Sequence, residues 1–196
     1  MDELSVRNIV WAYANGIFPM GRAADSRRID WYDPDPRGVL PLDGFRVPRS
    51  LRKTLRKAPF EVRIDADFDA VVAGCAGRES TWINGAIRRV YGELHAAGLA
   101  HSVECWRGGE LVGGLYGVHL KAAFFGESMF SRRELGGDNS SKLCLLELER
   151  RLLAGGYTLL DSQEANDHMS QFGGEEISFD EYLTRLHSAI EIECKF

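Results

Sequence analysis

The stretch that decides the fold is "HSVECWRGGELVGGLYGVHLKAAFFGESMF", residues 101–130. Apolar residues alternate along it, and Gly108-Gly109 interrupts the alternation where a two-residue hairpin turn is expected. The stretch therefore predicts two antiparallel strands joined by a tight turn, with a further strand after them. A second glycine pair, Gly113-Gly114, falls inside a predicted strand, where it indicates a bulge or the close approach of a ligand to the backbone.

Helical patterns surround these strands. Apolar residues recur at helical spacing in residues 4–15, 68–77, 86–98 and 139–154, and glycines follow at the expected ends. In the last of these helices Asn139 or Ser140 can act as the N-cap. "YTLLDSQ", residues 157–163, is typical of a short strand with a polar end. Helices around a mostly antiparallel sheet predict an α/β (α+β) domain.

The N-terminal part is read as a separate small piece. "GIFPMG", residues 16–21, is interpreted as a turn, and "WYDPDPRGVLPL", residues 31–42, carries three prolines. Proline fixes its own backbone and restricts the preceding residue, so this segment is expected to be extended and irregular. We therefore place a domain boundary here, with a small N-terminal domain over 1–35 and the main domain over 36–196.

Composition limits the classes of protein. The chain has 196 residues, 44% of them hydrophobic, and no apolar run of membrane-spanning length, which predicts a cytoplasmic protein. Its four cysteines are scattered without a metal-binding spacing, which argues against a zinc site and against a disulfide framework. A net charge of −5 argues, on average, against nucleic acid as a partner.

One segment departs from that average. Residues 46–63 contain seven basic residues and one acid, Glu61. The bases most suited to a common surface are Arg49, Arg52, Lys53, Arg56 and Lys57. Such a helix is either an ordinary solvated face or a surface that binds phosphates, and both interpretations stay open.

Few residues suggest chemistry by type and place alone. Glu127 stands between "AAFF" and "MF", in a run that otherwise reads as interior. Asp161 and Gln163 follow a buried-looking strand at spacing two, so both are expected on one face of it. An acid beside an amide can orient or deprotonate a nucleophile, although a turn-forming Asp with a local hydrogen bond is the commoner case.

These segments also occur together in a pattern that resembles one family. "GIFPM", "WYDPDPRGVLPL", "RSLRK", "TWI", "LVGGLYGV", "FFGESMFS", "SSK", "LLDSQ", "NDH" and "FGGEEI" follow one another in order. Together they resemble the leucyl/phenylalanyl-tRNA–protein transferases of bacteria over nearly the whole chain. The resemblance implies a GNAT-like acyltransferase fold behind a short N-terminal domain. It also implies transfer of Leu or Phe, possibly Met, from aminoacyl-tRNA to the N-terminal Arg or Lys of proteins, which marks them for degradation.

The resemblance assigns roles to individual residues. Asp161, Gln163 and Glu127 match the catalytic positions of the family. Trp82 and Met20 match positions near the terminal adenosine of the tRNA. The positions that match its pocket for the transferred side chain are Leu115, Phe124, Leu145, Leu148, Leu152 and Leu160. The link "SRRELGGDNSSK", residues 131–142, is longer here than is usual in the family.

The implied reaction is aminolysis of an ester that is already activated, so we expect no cofactor and no metal. The expected partners are aminoacyl-tRNA and acceptor proteins, with the enzyme acting as a monomer. Asp161 could act as a base or orient the amine, and Gln163 could donate to the oxyanion or hold Asp161. Two alternatives are an acetyl-CoA-dependent GNAT N-acetyltransferase and a non-catalytic tRNA-binding module.

Overall fold

The computed structural model describes residues 4–55 and 60–196. Its helices are α1 (Val6–Ala14), α2 (Arg49–Leu55), α3 (Phe68–Ala76), α4 (Gly85–Ala96), α5 (Ser140–Gly155), α6 (Asp167–Ser170) and α7 (Phe179–Ala189), with a 3-10 turn at Arg133–Leu135. Its strands are β1 (Phe18–Gly21), β2 (Ile29–Tyr32), β3 (Arg37–Val39), β4 (Glu61–Ile64), β5 (Ala100–Arg107), β6 (Glu110–Leu120), β7 (Ala123–Ser131), β8 (Leu159–Gln163) and β9 (Glu175–Ile177).

The strands form one large mixed sheet and one hairpin. The large sheet has seven strands in the order β4-β5-β6-β7-β8-β3-β9, and β1 pairs with β2 separately. All neighbours in the large sheet are antiparallel except β7 and β8, which are parallel. The predicted α/β class is confirmed by this sheet and its helices.

The quoted stretch folds as its pattern predicts. Gly108 and Gly109 have φ values of 59° and 85°, the left-handed pair that a tight hairpin turn between β5 and β6 requires. Along β6 successive side chains then point to opposite faces. Leu115 enters the core on one face of the sheet, and Tyr116 enters the core on the other.

Helices cover both faces of the sheet. Side chains of α1, α3, α4 and α7 pack together on one face around Tyr13, Val71, Tyr91 and Tyr182. Helices α2 and α5 cover the other face, where Leu148 is buried among apolar neighbours. A sheet that is buried on both faces needs long apolar strands, and β6 is buried at nearly every position.

The N-terminal segment differs from expectation. The pattern of "GIFPMG" predicts a turn, but this segment supplies β1, whose Phe18 pairs with Tyr32 of β2. The proline-rich segment was expected to be irregular, but Arg37–Val39 forms a strand inside the large sheet, between β8 and β9. Both predictions are wrong because pairing with a partner strand, which local proline content does not reveal, decides the backbone of these segments. The boundary at residue 36 stays a prediction.

The glycine pair inside β6 has a structural explanation. A Cβ built on Gly113 would lie 1.9 Å from Oγ of Ser140. The close approach is therefore made by the first residue of α5 and not by a ligand. Asn139 has a left-handed φ of 63° and no side-chain capping bond, and Ser140 is buried and donates to the Gly137 carbonyl (2.7 Å). Asn139 therefore occupies the predicted N-cap position, but its side chain does not make the expected capping bond, and Ser140 is the first residue of the helix.

Strands β7 and β8 pair over only three positions, the last being Phe125 with Asp161. After that point Gly126–Ser131 continue beside β6, while Gln163 pairs with Gly38 of β3. The two parallel strands therefore part in the middle of the sheet. Within the described part of the chain, no helix is long and apolar enough to span a bilayer.

Candidate functional site

A cavity of about 980 Å³ opens where β7 and β8 part. Gly126 and Glu127 of β7 line one side of it, and Asp161, Ser162 and Gln163 of β8 line the other. Where the two strands stop pairing, the residues that follow on each strand face each other across the gap. The geometry of the sheet thus brings together the three residues that the sequence singled out.

The wall on the α5 side of this cavity is apolar. Leu115, Leu145, Leu148 and Leu160 line the cavity, and Leu145 and Leu148 are three positions apart on α5, on the face that packs against the sheet. Phe124 and Leu152 are fully buried in the same cluster, but they do not line the cavity. Four of the six predicted pocket positions therefore border open space.

The two predicted adenosine positions have different places. Trp82 lines the cavity. Met20 is half-buried on β1 and does not line it, although the N–H of its neighbour Gly21 donates to the Trp82 carbonyl (3.0 Å). A Cβ on Gly21 would lie 2.4 Å from that carbonyl oxygen, so the glycine permits this contact between β1 and the wall of the cavity.

Glu127 is the extra residue of a β-bulge. Gly117 pairs with Gly126 and Tyr116 pairs with Ser128, so Glu127 has no partner on β6. Bulges re-aim a side chain and are frequent beside active sites. The bulge turns the Glu127 carboxylate toward the cavity and toward two buried tyrosines.

Glu127 and these two tyrosines are joined by three oxygen–oxygen contacts, two to the carboxylate and one between the hydroxyls. Tyr13 donates to Oε1 (2.6 Å), Tyr91 donates to Oε2 (3.0 Å), and the two hydroxyls lie 2.6 Å apart. Two hydroxyl protons can fill only two of these contacts, and a proton on Glu127 would fill the third. Burial raises the pKa of Glu127 to about 7, although the tyrosine hydrogen bonds lower it. Glu127 is therefore able to gain and lose a proton near neutral pH.

Asp161 is held by a different set of partners. Its carboxylate accepts from Nε and Nη2 of Arg37 (3.0 and 2.6 Å), from the Tyr182 hydroxyl (2.7 Å) and from the N–H of Gln163 (2.8 Å). Both Arg37 and Asp161 are fully buried. Arg37 also donates to the Gly16 carbonyl (2.8 Å), which ties the turn after α1 to the Arg37–Asp161 pair.

Gln163 stands in an unusual conformation. Its φ is 60°, a left-handed value that is uncommon for a residue other than glycine. The Asp161 carboxylate holds its backbone N–H. Within the described chain its buried Nε2 has no hydrogen-bond partner, and neither does the hydroxyl of Tyr116. Both residues line the cavity, so its wall contains two donors that no protein group in the described chain accepts from.

Several residues of this site were missed from the sequence. Arg37 lies in a proline-rich segment, and Tyr13, Tyr91 and Tyr182 lie on helices that read as ordinary core. A tyrosine on a buried helix face gives no sign that its hydroxyl meets a carboxylate on another element, which for Tyr13 and Glu127 lies 114 residues away. For Arg37, the one available signal is a charged residue directly before the apolar run "GVL".

The predicted basic surface is partly described. Arg49, Arg52 and Lys53 are exposed on α2, while Leu51 is buried against the core, as the helical pattern predicts. Arg56 and Lys57 lie outside the described residues. None of the three described bases lines the cavity.

Searched over residues 4–55 and 60–196, the structure has no group of three His, Cys, Asp or Glu side chains that could hold a metal ion. The four cysteines are free.

Comparison with known proteins agrees with the resemblance in the sequence. The family model for leucyl/phenylalanyl-tRNA protein transferase matches residues 39–187, and the model for its N-terminal domain matches residues 2–35. The leucyl/phenylalanyl-tRNA–protein transferase of Maricaulis maris is 55% identical over the whole chain and 91% of the relative's length. The chain belongs to this family. A second member, from Phenylobacterium zucineum, is 51% identical over 100% of this chain and 89% of the relative. A third, from Paramagnetospirillum magneticum, is 50% identical over 97% of this chain and 91% of the relative.

Membership in the leucyl/phenylalanyl-tRNA–protein transferase family makes the chain an enzyme, a transferase. Among solved structures, a ribosomal-protein-alanine N-acetyltransferase from Brucella melitensis biovar Abortus 2308 matches at 12% identity and a TM-score of 0.40. That match covers 58% of this chain and 87% of the other.

Proposed function

We propose that the enzyme transfers leucine or phenylalanine from aminoacyl-tRNA to the N-terminal Arg or Lys of acceptor proteins. One observation carries this proposal: a single cavity joins an apolar wall of leucines to Glu127, Asp161 and Gln163. The apolar wall suits the transferred side chain, and the polar end suits the ester and the attacking amine. We place the reaction in the cytoplasm, where charged tRNA is available, and propose a monomer.

The bond changes follow from the substrates. The neutral α-amine of the acceptor attacks the carbonyl carbon of the aminoacyl ester, and a tetrahedral oxyanion forms. The C–O bond to the ribose then breaks, and the ribose oxygen leaves as a hydroxyl. One proton passes from the amine to the ribose oxygen, so the enzyme needs only to hold it in transit. These bond changes balance without a redox step, so they require no metal and no cofactor.

Glu127 is the group best placed to hold that proton. A general base works best when its pKa is near the operating pH, and the pKa of Glu127 is raised to about 7 by burial. Its two tyrosine partners remain bonded in either protonation state, because each hydroxyl can donate or accept.

Asp161 is better suited to orienting than to proton transfer. Its carboxylate already accepts four hydrogen bonds, two of them from Arg37. Through the N–H of Gln163 it fixes the left-handed backbone that carries the amide side chain. The free Nε2 of Gln163, together with the Tyr116 hydroxyl, can then donate to the developing oxyanion.

The acceptor side of the proposal is tested with a panel of peptides that differ only at the first residue. With leucyl-tRNA as donor, we expect transfer to peptides that begin with Arg or Lys, and at least tenfold slower transfer to those that begin with Ala or Asp. An Arg peptide with an acetylated α-amine is the control and should receive nothing. Equal rates for Arg, Ala and Asp would contradict the proposed acceptor.

Changing the apolar wall should change the preferred donor. Leu148 is buried, lines the cavity and sits on α5, so Leu148→Ala enlarges the space for a bulky side chain. We expect the ratio of phenylalanine to leucine transfer to rise, at a cost of about 2–5 kcal/mol in the free energy of unfolding. Leu152→Ala, which alters the same helix without bordering the cavity, is the matched control. A ratio that rises equally in both variants would place Leu148 in plain core.

The exposed bases of α2 are proposed to contact the tRNA beyond its aminoacylated end. Phosphate contacts are salt-dependent and independent of base sequence. For Arg49→Ala combined with Lys53→Ala, we expect the slope of log affinity against log salt for whole tRNA to fall by about 1.4–1.8. Affinity for an aminoacyl-adenosine, which has no stem, should be unchanged. Arg88→Ala, which removes an exposed base on α4, is the control. An unaltered salt slope in the double variant would show that the bases of α2 face solvent and do not contact the tRNA.

A further inference from the structure

Four cations line the cavity, namely Arg78, Arg132, Arg133 and Lys142. Arg78 and Arg133 are exposed and the other two are half-buried, and the four are called the cationic rim below. Arg78 follows α3, Arg132 and Arg133 follow β7, and Lys142 lies in the first turn of α5. Three separate parts of the chain thus contribute positive charge to one cavity. None of these residues belongs to the basic helix α2.

Three of the four rim cations have no carboxylate partner. In the part of the chain that the structure describes, Arg78, Arg132 and Lys142 have no carboxylate within 4.0 Å. Their hydrogen bonds go to neutral groups, the Met129 carbonyl, the Leu111 carbonyl (3.2 Å) and the Gln171 amide (3.2 Å).

Some arginines elsewhere in the molecule are paired with a carboxylate, while others, such as Arg49, Arg52 and Arg88, have none within the described residues. The rim differs from both groups because its cations come from three parts of the chain and border one cavity. Examples of the paired ones are Arg22, Arg63, Arg89, Arg150 and Arg185. Arg133 has only Asp138 at 3.8 Å, with both side chains largely exposed, and such a pair contributes little.

Unpaired cations around an opening create a positive potential that attracts an anion. The arrangement is also partly fixed: Arg132 is half-buried, with its guanidinium 5.5 Å from the centre of the Phe130 ring, and Lys142 is half-buried on α5. Glu134 lines the same cavity and is the exposed opposing charge there. Four cations against one exposed carboxylate leave this part of the cavity positively charged.

We propose that the cationic rim binds the phosphodiesters of the single-stranded 3′ end of the donor tRNA. This inference rests on the proposed function. When the aminoacyl group lies against the leucines of the cavity, the ribose that carries it stands toward the opening. The phosphates nearest to that ribose are those of the last nucleotides, and they then face the rim. Helix α2 would act on more distant phosphates.

The test uses two non-transferable probes: a CCA trinucleotide with phenylalanine joined to its 3′ end by an amide, and the same phenylalanyl amide of adenosine alone. Calorimetry at 50 and 200 mM salt gives their affinities. With two single-strand phosphate contacts, parent affinity for the trinucleotide should fall about sevenfold between these salts, because each contact contributes a slope of about 0.7. The adenosine probe carries no phosphate, so its affinity should hold within about twofold.

Removing rim charges should act on the trinucleotide alone. In Arg133→Ala, whose side chain is exposed, and in Arg132→Gln with Lys142→Gln, we expect the salt-dependent fall to shrink to about threefold or less. Affinity for the adenosine probe should stay at the parent value, which a mere folding defect would not allow. Glu134→Gln should tighten trinucleotide binding, and Arg88→Ala should change nothing.

The inference is overturned if the parent binds both probes with equal salt dependence. It is also overturned if trinucleotide affinity falls as steeply with salt in the rim variants as in the parent. These results are separate from the proposed function, because both probes measure binding and not transfer. If the rim variants alter trinucleotide binding as expected but the parent enzyme transfers no leucine, the proposed function is overturned. The rim would then still be a site that binds phosphodiesters.

Discussion

Glu127→Gln is expected to slow aminoacyl transfer by about 100-fold or more at pH 7.5, since a positioned general base contributes roughly 10²–10⁴-fold. Glutamine keeps the size of the side chain and can still bond to Tyr13 and Tyr91, so the change removes the titration without emptying the site. Single-turnover rates with bound leucyl-tRNA measure the effect. Glu110→Gln, at the exposed first residue of β6, is the control and should behave as the parent.

The pH dependence provides a second measurement of the same group. The useful form of Glu127 is deprotonated and burial raises its pKa to about 7, so the parent's transfer rate should rise with pH through about 7. The acceptor amine adds its own rise near 8. The Glu127→Gln variant should keep only the second rise. A variant that retains both rises, or the parent's rate, would remove Glu127 from proton transfer.

Stability should follow the opposite trend. The pKa of Glu127 in the folded chain lies above its ordinary value of 4.5, so the folded state binds the proton more tightly than the unfolded state. This contribution to the free energy of unfolding is complete below about pH 4.5 and is lost as pH rises through about 7. Denaturation of parent and variant at several pH values should show a difference that changes over this range and is constant outside it.

Arg37→Met is expected to lower the free energy of unfolding by about 3–5 kcal/mol, because it leaves the Asp161 carboxylate buried without its cation. The pair is fully buried, and the variant also loses the bond from Arg37 to the Gly16 carbonyl. Urea denaturation measures the change. The rate of transfer should fall as well, since Asp161 would no longer hold the Gln163 N–H in one place.

Two further variants separate charge from geometry. Arg37→Lys keeps the charge but cannot make the paired contacts of a guanidinium, so its stability should lie between parent and Arg37→Met. Combining Arg37→Met with Asp161→Leu removes both charges, and most of the lost stability should return, while transfer stays low. A double variant as unstable as Arg37→Met alone would show that packing around Arg37, and not the ion pair, sets the cost.

The parts of the fold that depend on neighbours in sequence could be predicted. The turn at Gly108-Gly109, helices α1, α3, α4 and α5, and the strand that ends in Asp161 and Gln163 all show in the local pattern. Each is specified by spacing, glycine stops and polar ends, which act within a few residues.

What could not be predicted depends on contacts between distant residues. Strand β3 exists because Arg37–Val39 pair with β8 and β9, more than a hundred residues later. The bulge at Glu127 depends on the register with β6, and the raised pKa of Glu127 depends on burial by elements that include α1 and α4. Gly113 shows the same limit: the sequence indicated a close approach, but only the fold shows that Ser140 makes it.

The mass of an Arg-initiated peptide after incubation with the enzyme and leucyl-tRNA tests the proposed activity most directly. We expect a gain of one leucyl residue, placed on the α-amine by fragmentation, and no gain when acetyl-CoA replaces the charged tRNA. The Glu127→Gln enzyme, under the same conditions, should leave most of the peptide unmodified. An unmodified peptide with the parent enzyme and leucyl- or phenylalanyl-tRNA, or an acetylated one with acetyl-CoA, would contradict the assignment of this cavity to aminoacyl transfer.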